Sequence, residues 1–152
     1  MKHTRLLLAC ASGMLLVLAI LIGLNLDTAV AAPSATYRYV LGNGGANSSD
    51  CTNPNTPCKS IQYALDQSST GDIIRVAKGM LPIIYPETVS IDKSVTLEGG
   101  WGAVGFPGGF LWQRSTPCDP SWTTIDASGA GRVISITGSI TPTVDCFTIT
   151  GG

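Results

Sequence analysis

The chain has 152 residues, of which 44% are hydrophobic and only 12% charged, with a formal net charge of −1. Its cations are scattered along the sequence, which argues against a nucleic-acid partner, since that needs a clustered basic face. The only histidine is His3; once the leader described next is removed, no residue remains for a His general base, a Ser/His/Asp triad or imidazole-ligated zinc.

Met1, Lys2, His3, Thr4 and Arg5 make a short basic start, and Leu6 to Leu24 is almost continuously apolar, interrupted first at Ser12 and Gly13. Ala29-Val30-Ala31 then supplies the small-x-small pattern of a signal-peptidase site, so residues 1–32 are predicted to be an export signal cleaved near Ala31 or Ala32. An uncleaved anchor competes with this reading, because the apolar run approaches the roughly 20 residues that span a bilayer. Leu7-Leu8-Ala9-Cys10 also resembles a lipobox, although Leu6 to Ala9 is short for a signal core. The expected location is outside a bacterial cell or on its surface, with membrane contact only through the signal. The remaining chain carries seven cations against nine carboxylates, a net charge near −2.

Residues 33–55 read as a short strand and a polar loop. Tyr37, Tyr39 and Leu41 alternate with Arg38 and Val40, and Gly42 to Ser49 is small and polar. Asn47-Ser48-Ser49 fits a glycosylation sequon, with a plain polar loop as the alternative. Cys51, Cys58, Cys118 and Cys146 follow the signal, and in an oxidising compartment disulfides are the default. Four cysteines permit three pairings. Cys51 with Cys58 is favoured because Asn53-Pro54-Asn55-Thr56-Pro57 already bends the chain between them, which leaves Cys118 for Cys146. Zinc held by four thiolates is the competing reading, but no CxxC spacing is present.

Residues 56–152 form the predicted folded region. Thr56-Pro57 supplies an N-cap and first helical residue, and Ile61, Ala64 and Leu65 recur at helical spacing, so one amphipathic helix is expected from Thr56 to Ser68. Beyond it lie short strands with glycine turns. Ile73 to Gly79, Ser94 to Gly100, Thr123 to Gly129 and Phe147 to Gly152 align on Val76, Leu97, Ile125 and Ile149, spaced 21, 28 and 24 apart. Such spacing suits the coils of a parallel solenoid, with the helix capping its first coil. Thr88 to Ile91 and Arg132 to Ile136 read as a second class of strand, and Gly102 to Pro120 as an inserted loop.

Ile74, Val76, Val89, Ile91, Val95, Leu97, Ile125, Ile134, Ile136, Phe147 and Ile149 are expected inside, and Arg75, Ser90, Thr96, Glu98, Asp126, Ser135, Thr148 and Thr150 outside. An antiparallel sandwich would alternate in the same way and stays open. No catalytic set and no metal set is predicted. Asp126 with Asp145 could be imagined as a glycosidase pair, but Asp145 is more simply a turn residue beside Pro142. Trp101, Phe106, Phe110, Trp112 and Trp122 gather around glycines with Arg114 nearby, a candidate surface for stacking on sugar rings. Packing over the sheets would explain the same aromatics.

Ser60-Ile61-Gln62 with Ala64-Leu65, then Gly71 to Gly79, then Val89 to Gly100, resembles the N-terminal end of the pectin-lyase-like superfamily. Thr124-Ile125-Asp126, Gly131 to Ile134 and Phe147 to Gly152 are similar to later coils of exported bacterial proteins of that fold. The resemblance implies an all-β, right-handed parallel β-helix with a short N-terminal capping helix. It admits calcium as a cofactor and polysaccharide or a cell-surface glycan as partner, and leaves function wide, since the superfamily spans lyases, hydrolases and adhesins. The expectation is a noncatalytic module for surface adhesion or carbohydrate contact. The alternative is the N-terminal fragment of a polysaccharide lyase or glycoside hydrolase. Such proteins usually continue for more coils, so either a fragment or self-association at the last coil is expected. Cys146 falls where these repeats more comfortably carry glycine.

Overall fold

A computed structural model describes residues 34–152; the export segment read above lies outside them. The strands are β1 (Tyr37–Val40), β2 (Ile73–Lys78), β3 (Ile83–Tyr85), β4 (Val89–Ile91), β5 (Thr96–Phe106), β6 (Gly109–Arg114), β7 (Thr123–Asp126), β8 (Ile134–Ile136), β9 (Thr143–Asp145) and β10 (Thr148–Thr150). One helix, α1 (Ile61–Asp66), and a 3₁₀ turn over Pro120–Trp122 complete the elements. No helix among the described residues is long and apolar enough to cross a membrane.

The fold is all-β, and nearly all its pairing is parallel. β1, β2, β5 and β9 lie side by side in one parallel sheet, and β6 adds an antiparallel return along the far half of β5. A second parallel sheet holds β3, β7 and β10, and a third holds β4 and β8. Parallel neighbours cannot be joined by a tight hairpin. Here the connection from β2 to β5 runs through β3 and β4, and that from β5 to β9 runs through β7 and β8.

Residues in register share a face, and the inward positions are mostly aliphatic. Ile74, Leu97 and Val144 align in the first sheet, Tyr85, Ile125 and Ile149 in the second, and Ile91 with Ile136 in the third. Ile74, Leu97, Ile125 and Ile91 are fully buried. Strands of three residues cannot bury a face alone, so each depends on its neighbours in register. Tyr85 is also enclosed: its hydroxyl donates to the Ala77 carbonyl at 2.9 Å and accepts from Gly42 N–H at 3.3 Å, and burial pushes the phenol well up.

Helix α1 closes the end of the core next to β1. Ser60 is its N-cap, accepting from Tyr63 N–H, and Glu87 accepts the N–H groups of Ile61 and Gln62 at 2.9 and 2.8 Å. So short a helix is marginal by itself. Burial of Ile61, Ala64 and Leu65 in the same hydrophobic core as Ile74, Val76 and Ile91 holds it there.

Several sequence expectations need correction. The helix starts at Ile61 rather than Thr56, because Cys58 is extended: it bridges Val40, donates to the Tyr39 carbonyl and accepts from Leu41 N–H. Val76, Leu97, Ile125 and Ile149 do not form one column. Leu97 sits beside Ile74, Val76 beside Val40, and Ile125 and Ile149 belong to the second sheet.

Ile136 and Ile149, expected inside, are 55% and 50% exposed, because no described strand lies beyond them. The predicted loop over Gly102 to Pro120 contains the β5–β6 hairpin. Asp145 is in a strand rather than a turn, and β3 and β9 are strands that the repeat did not identify.

The two disulfides join Cys51 to Cys58 and Cys118 to Cys146, a pattern that fits an extracellular, oxidising location. Cys146 has a φ of 65°, in the region that favours glycine.

Candidate ligand-contact face

The outward positions of the first sheet form a column across all four parallel strands: Tyr39, Arg75, Glu98 and Asp145 are paired in register. The next feature is a bulge. Arg75 lies opposite Glu98 but Ala77 opposite Trp101, so Gly99 and Gly100 together face Val76, with Gly100 at a φ of 75°. Simple alternation from inward Leu97 would aim Trp101 inward as well. One extra residue reverses the parity and puts Trp101 on the face of Arg75. The Gly100 N–H turned aside by the bulge donates to the Oγ1 of buried Thr123 at 2.9 Å.

On this face the Arg75 guanidinium lies 3.9 Å from the centre of the Tyr37 ring and 4.1 Å from that of Trp101, with Tyr39 at 5.9 Å. Such contacts contribute about 0.5–1 kcal/mol each where exposed. Trp101 Nε1–H donates to Glu98 Oε2 at 3.1 Å, which fixes the ring. The nearest carboxylate oxygen to Arg75 Nε is Glu98 Oε2, at 3.9 Å and too far for a hydrogen bond.

Arg114 is placed differently. It donates to Asp145 at 2.6 Å and to the Gly99 carbonyl at 2.9 Å, and lies 4.0 Å from Glu98. Through Nε and Nη2 it joins β6 to β5 and β9.

The hairpin folds toward the Cys51–Cys58 loop. Trp112 Nε1–H donates to the Pro54 carbonyl at 3.0 Å and Phe110 N–H donates to Asn55 Oδ1 at 2.9 Å. The Tyr39 and Trp112 ring centres are 4.9 Å apart. The structure therefore brings Trp101, Trp112 and Arg114 to one face. Phe110 packs against the core, while Phe106 lies at the hairpin tip and is half exposed, as are Val104 and Leu111. Trp122 stands on the 3₁₀ turn with the Lys78 ammonium 5.5 Å above its ring.

Sequence reasoning missed Tyr37, Tyr39 and Arg75 as members of this face. Their only signal was the alternation of Tyr37 to Leu41, and its position beside β2 depends on long-range pairing. Among the described residues no group of histidine, cysteine, aspartate or glutamate converges to hold a metal ion. Asp126, in the second sheet, accepts from Ser128 N–H in its own turn, and Asp145, in the first, is paired with Arg114.

Elsewhere, a cleft of about 290 Å³ lies between Lys59-Ser60 and Ile84 to Glu87. Burial raises the Glu87 carboxyl there, while the two helix N–H groups act in the opposite direction. No protein-family model, curated protein or solved structure matches the chain.

Proposed function

We propose that the chain is an exported, noncatalytic module built as a right-handed parallel β-helix, and that the outer face of its first sheet contacts carbohydrate. The β-helix reading is supported by the order in which the chain visits its sheets: first, second, third, then the same again, each return pairing in parallel with the previous strand. Parallel strands joined through crossovers are overwhelmingly right-handed. Export is supported by the basic and apolar leader and by two disulfides, which persist in oxidising compartments.

The observation that carries the carbohydrate reading is the gathering of Tyr37, Tyr39, Trp101 and Trp112 around a charged column on a single sheet face. Sugar rings present C–H faces that stack on aromatics, and hydroxyls that pair with charged side chains. A β-sheet supplies such groups at a regular spacing of about 4.8 Å between strands. Retardation of the purified secreted chain in native gels containing soluble glycans tests the reading. At least one glycan should slow the wild type, and Trp101→Ala should migrate freely in the same gel. A panel of neutral and acidic glycans that slows neither protein refutes carbohydrate contact.

A further inference from the structure

The three arginines attached to the first sheet are used unequally. Arg38 donates to Asp72 and to the Asp50 carbonyl, and Arg114 donates to Asp145 and the Gly99 carbonyl. Arg75 Nε is buried with no hydrogen-bond partner, the only such side-chain atom among the described residues. The terminal nitrogens of Arg75 make no hydrogen bond to any described residue either. Tyr37 and Trp101 nevertheless hold the side chain in place, and it keeps 22% of its surface exposed. A guanidinium offers five N–H donors in a planar fork that matches two oxygens of an oxyanion. Rings over the planar group leave its edge as the direction for hydrogen bonding, and a clamped side chain loses little freedom on binding.

We infer that the partly exposed guanidinium of Arg75 is an oxyanion receptor through its terminal nitrogens, and that the glycan contacted by this face carries carboxylate or sulfate groups. The inference rests on the carbohydrate reading and names the substituent the face selects. Tyr37 and Trp101 position the guanidinium, and Glu98 limits the approach of an anion from its own side.

Three polymers sharing one backbone separate the possibilities: dextran, carboxymethyl dextran and dextran sulfate, each titrated against the intact chain. The acidic polymers should bind about tenfold or more tightly than dextran, and the stronger of the two identifies the substituent. Arg75→Lys keeps the charge but loses the fork, and should bind the preferred polymer about tenfold more weakly. Tyr37→Ala removes one wall of the clamp at a 42% exposed position and should weaken binding in the same direction without touching the core. Lys59→Gln, a change at an exposed cation elsewhere, should bind as the wild type does.

Undiminished binding by both Arg75→Lys and Tyr37→Ala, or an equal loss in Lys59→Gln, would overturn the receptor in favour of general charge attraction. Equal binding of dextran and both acidic polymers would overturn it while leaving carbohydrate contact standing. Failure of all three polymers, together with failure of the wider glycan panel, would remove both.

Discussion

Gln62 lays its side-chain amide along the backbone of Ser90: Oε1 accepts from Ser90 N–H at 2.7 Å, and Nε2 donates to the Ser90 carbonyl at 3.4 Å. One side chain thus takes the place a neighbouring strand would occupy beside β4. Open strand edges invite pairing with other chains, and this contact covers one at the helix end of the fold. Gln62→Ala should cost about 1 kcal/mol, the net worth of such bonds. The sharper readout is hydrogen exchange: the Ser90 amide should exchange markedly faster in the variant, while Ile91, buried in the same strand, changes little.

Asp72 joins the start of β1 to the turn before β2. It accepts from Ser69 N–H and Arg38 Nε at 2.9 Å and from Thr36 N–H at 3.3 Å, and Arg38 and Asp72 are 8% and 4% exposed. Burial opposes ionisation of this carboxyl, but the bonds from Ser69, Arg38 and Thr36 outweigh it and hold its pKa below the usual 3.8. A folded pKa below the unfolded one gives stability that is complete above the unfolded value and is lost as pH falls through the folded value. Wild-type denaturation midpoints should therefore drop as pH is lowered below about 4. Asp72→Asn should lose about 3–5 kcal/mol at neutral pH, since it leaves the buried Arg38 charge without its partner. Its acid limb should be shallower, and an unchanged limb would show that Asp72 has no part in it. Asp50 and Asp119, held low by hydrogen bonds from Thr52 and Ser121, would retain the remaining slope.

Gly109 opens β6 at a φ of 148°, and a Cβ there would collide with the Asn55 side chain that accepts from Phe110 N–H. Gly109→Ala combines backbone strain of about 1–3 kcal/mol with loss of the contact between the hairpin and the disulfide loop. Trp112 should then lose its bond to the Pro54 carbonyl and its packing against Tyr39. The expected result is red-shifted tryptophan emission with the far-ultraviolet spectrum retained. Emission unchanged from the wild type would mean that Asn55 does not hold the hairpin.

Local signals were legible where they were strong. The proline-rich loop marked Cys51 and Cys58 as partners, and the spacing of Ile61, Ala64 and Leu65 marked the helix face. Thr88 to Ile91 and Arg132 to Ile136 read as one class of strand, and the strands found there, β4 and β8, pair in parallel. Strand register was less legible, because it depends on contacts between distant segments. β3 and β9 have three residues each, too few to show a period of two. In β5 the Gly99-Gly100 pair resembled the end of a repeat, whereas it forms a bulge that reverses alternation and turns Trp101 outward. The candidate face was legible only in part for the same reason. Arg114 stood closest to the aromatics in sequence, yet its Nε and Nη2 donors are used within the fold, while Arg75 meets its aromatic neighbours only through pairing with β1 and β5.

Ile125 and Ile149 test that register directly. They are Cα partners in the second sheet and carry the same side chain, but Ile125 is fully buried and Ile149 is half exposed. Ile125 lies between Tyr85 and Ile149, so truncation opens a cavity inside a packed column. Ile125→Ala should therefore cost about 2–5 kcal/mol. Ile149→Ala removes the same atoms at a site already reached by water and should cost under about 1.5 kcal/mol. A single column through Val76, Leu97, Ile125 and Ile149 would instead place Leu97 beside Ile125 and couple their substitutions. With the two residues in separate sheets, Leu97→Ala combined with Ile125→Ala should be closer to additive than Tyr85→Phe combined with Ile125→Ala. Denaturation midpoints of those two double-mutant cycles distinguish the arrangements, because coupling is strongest between residues in direct contact.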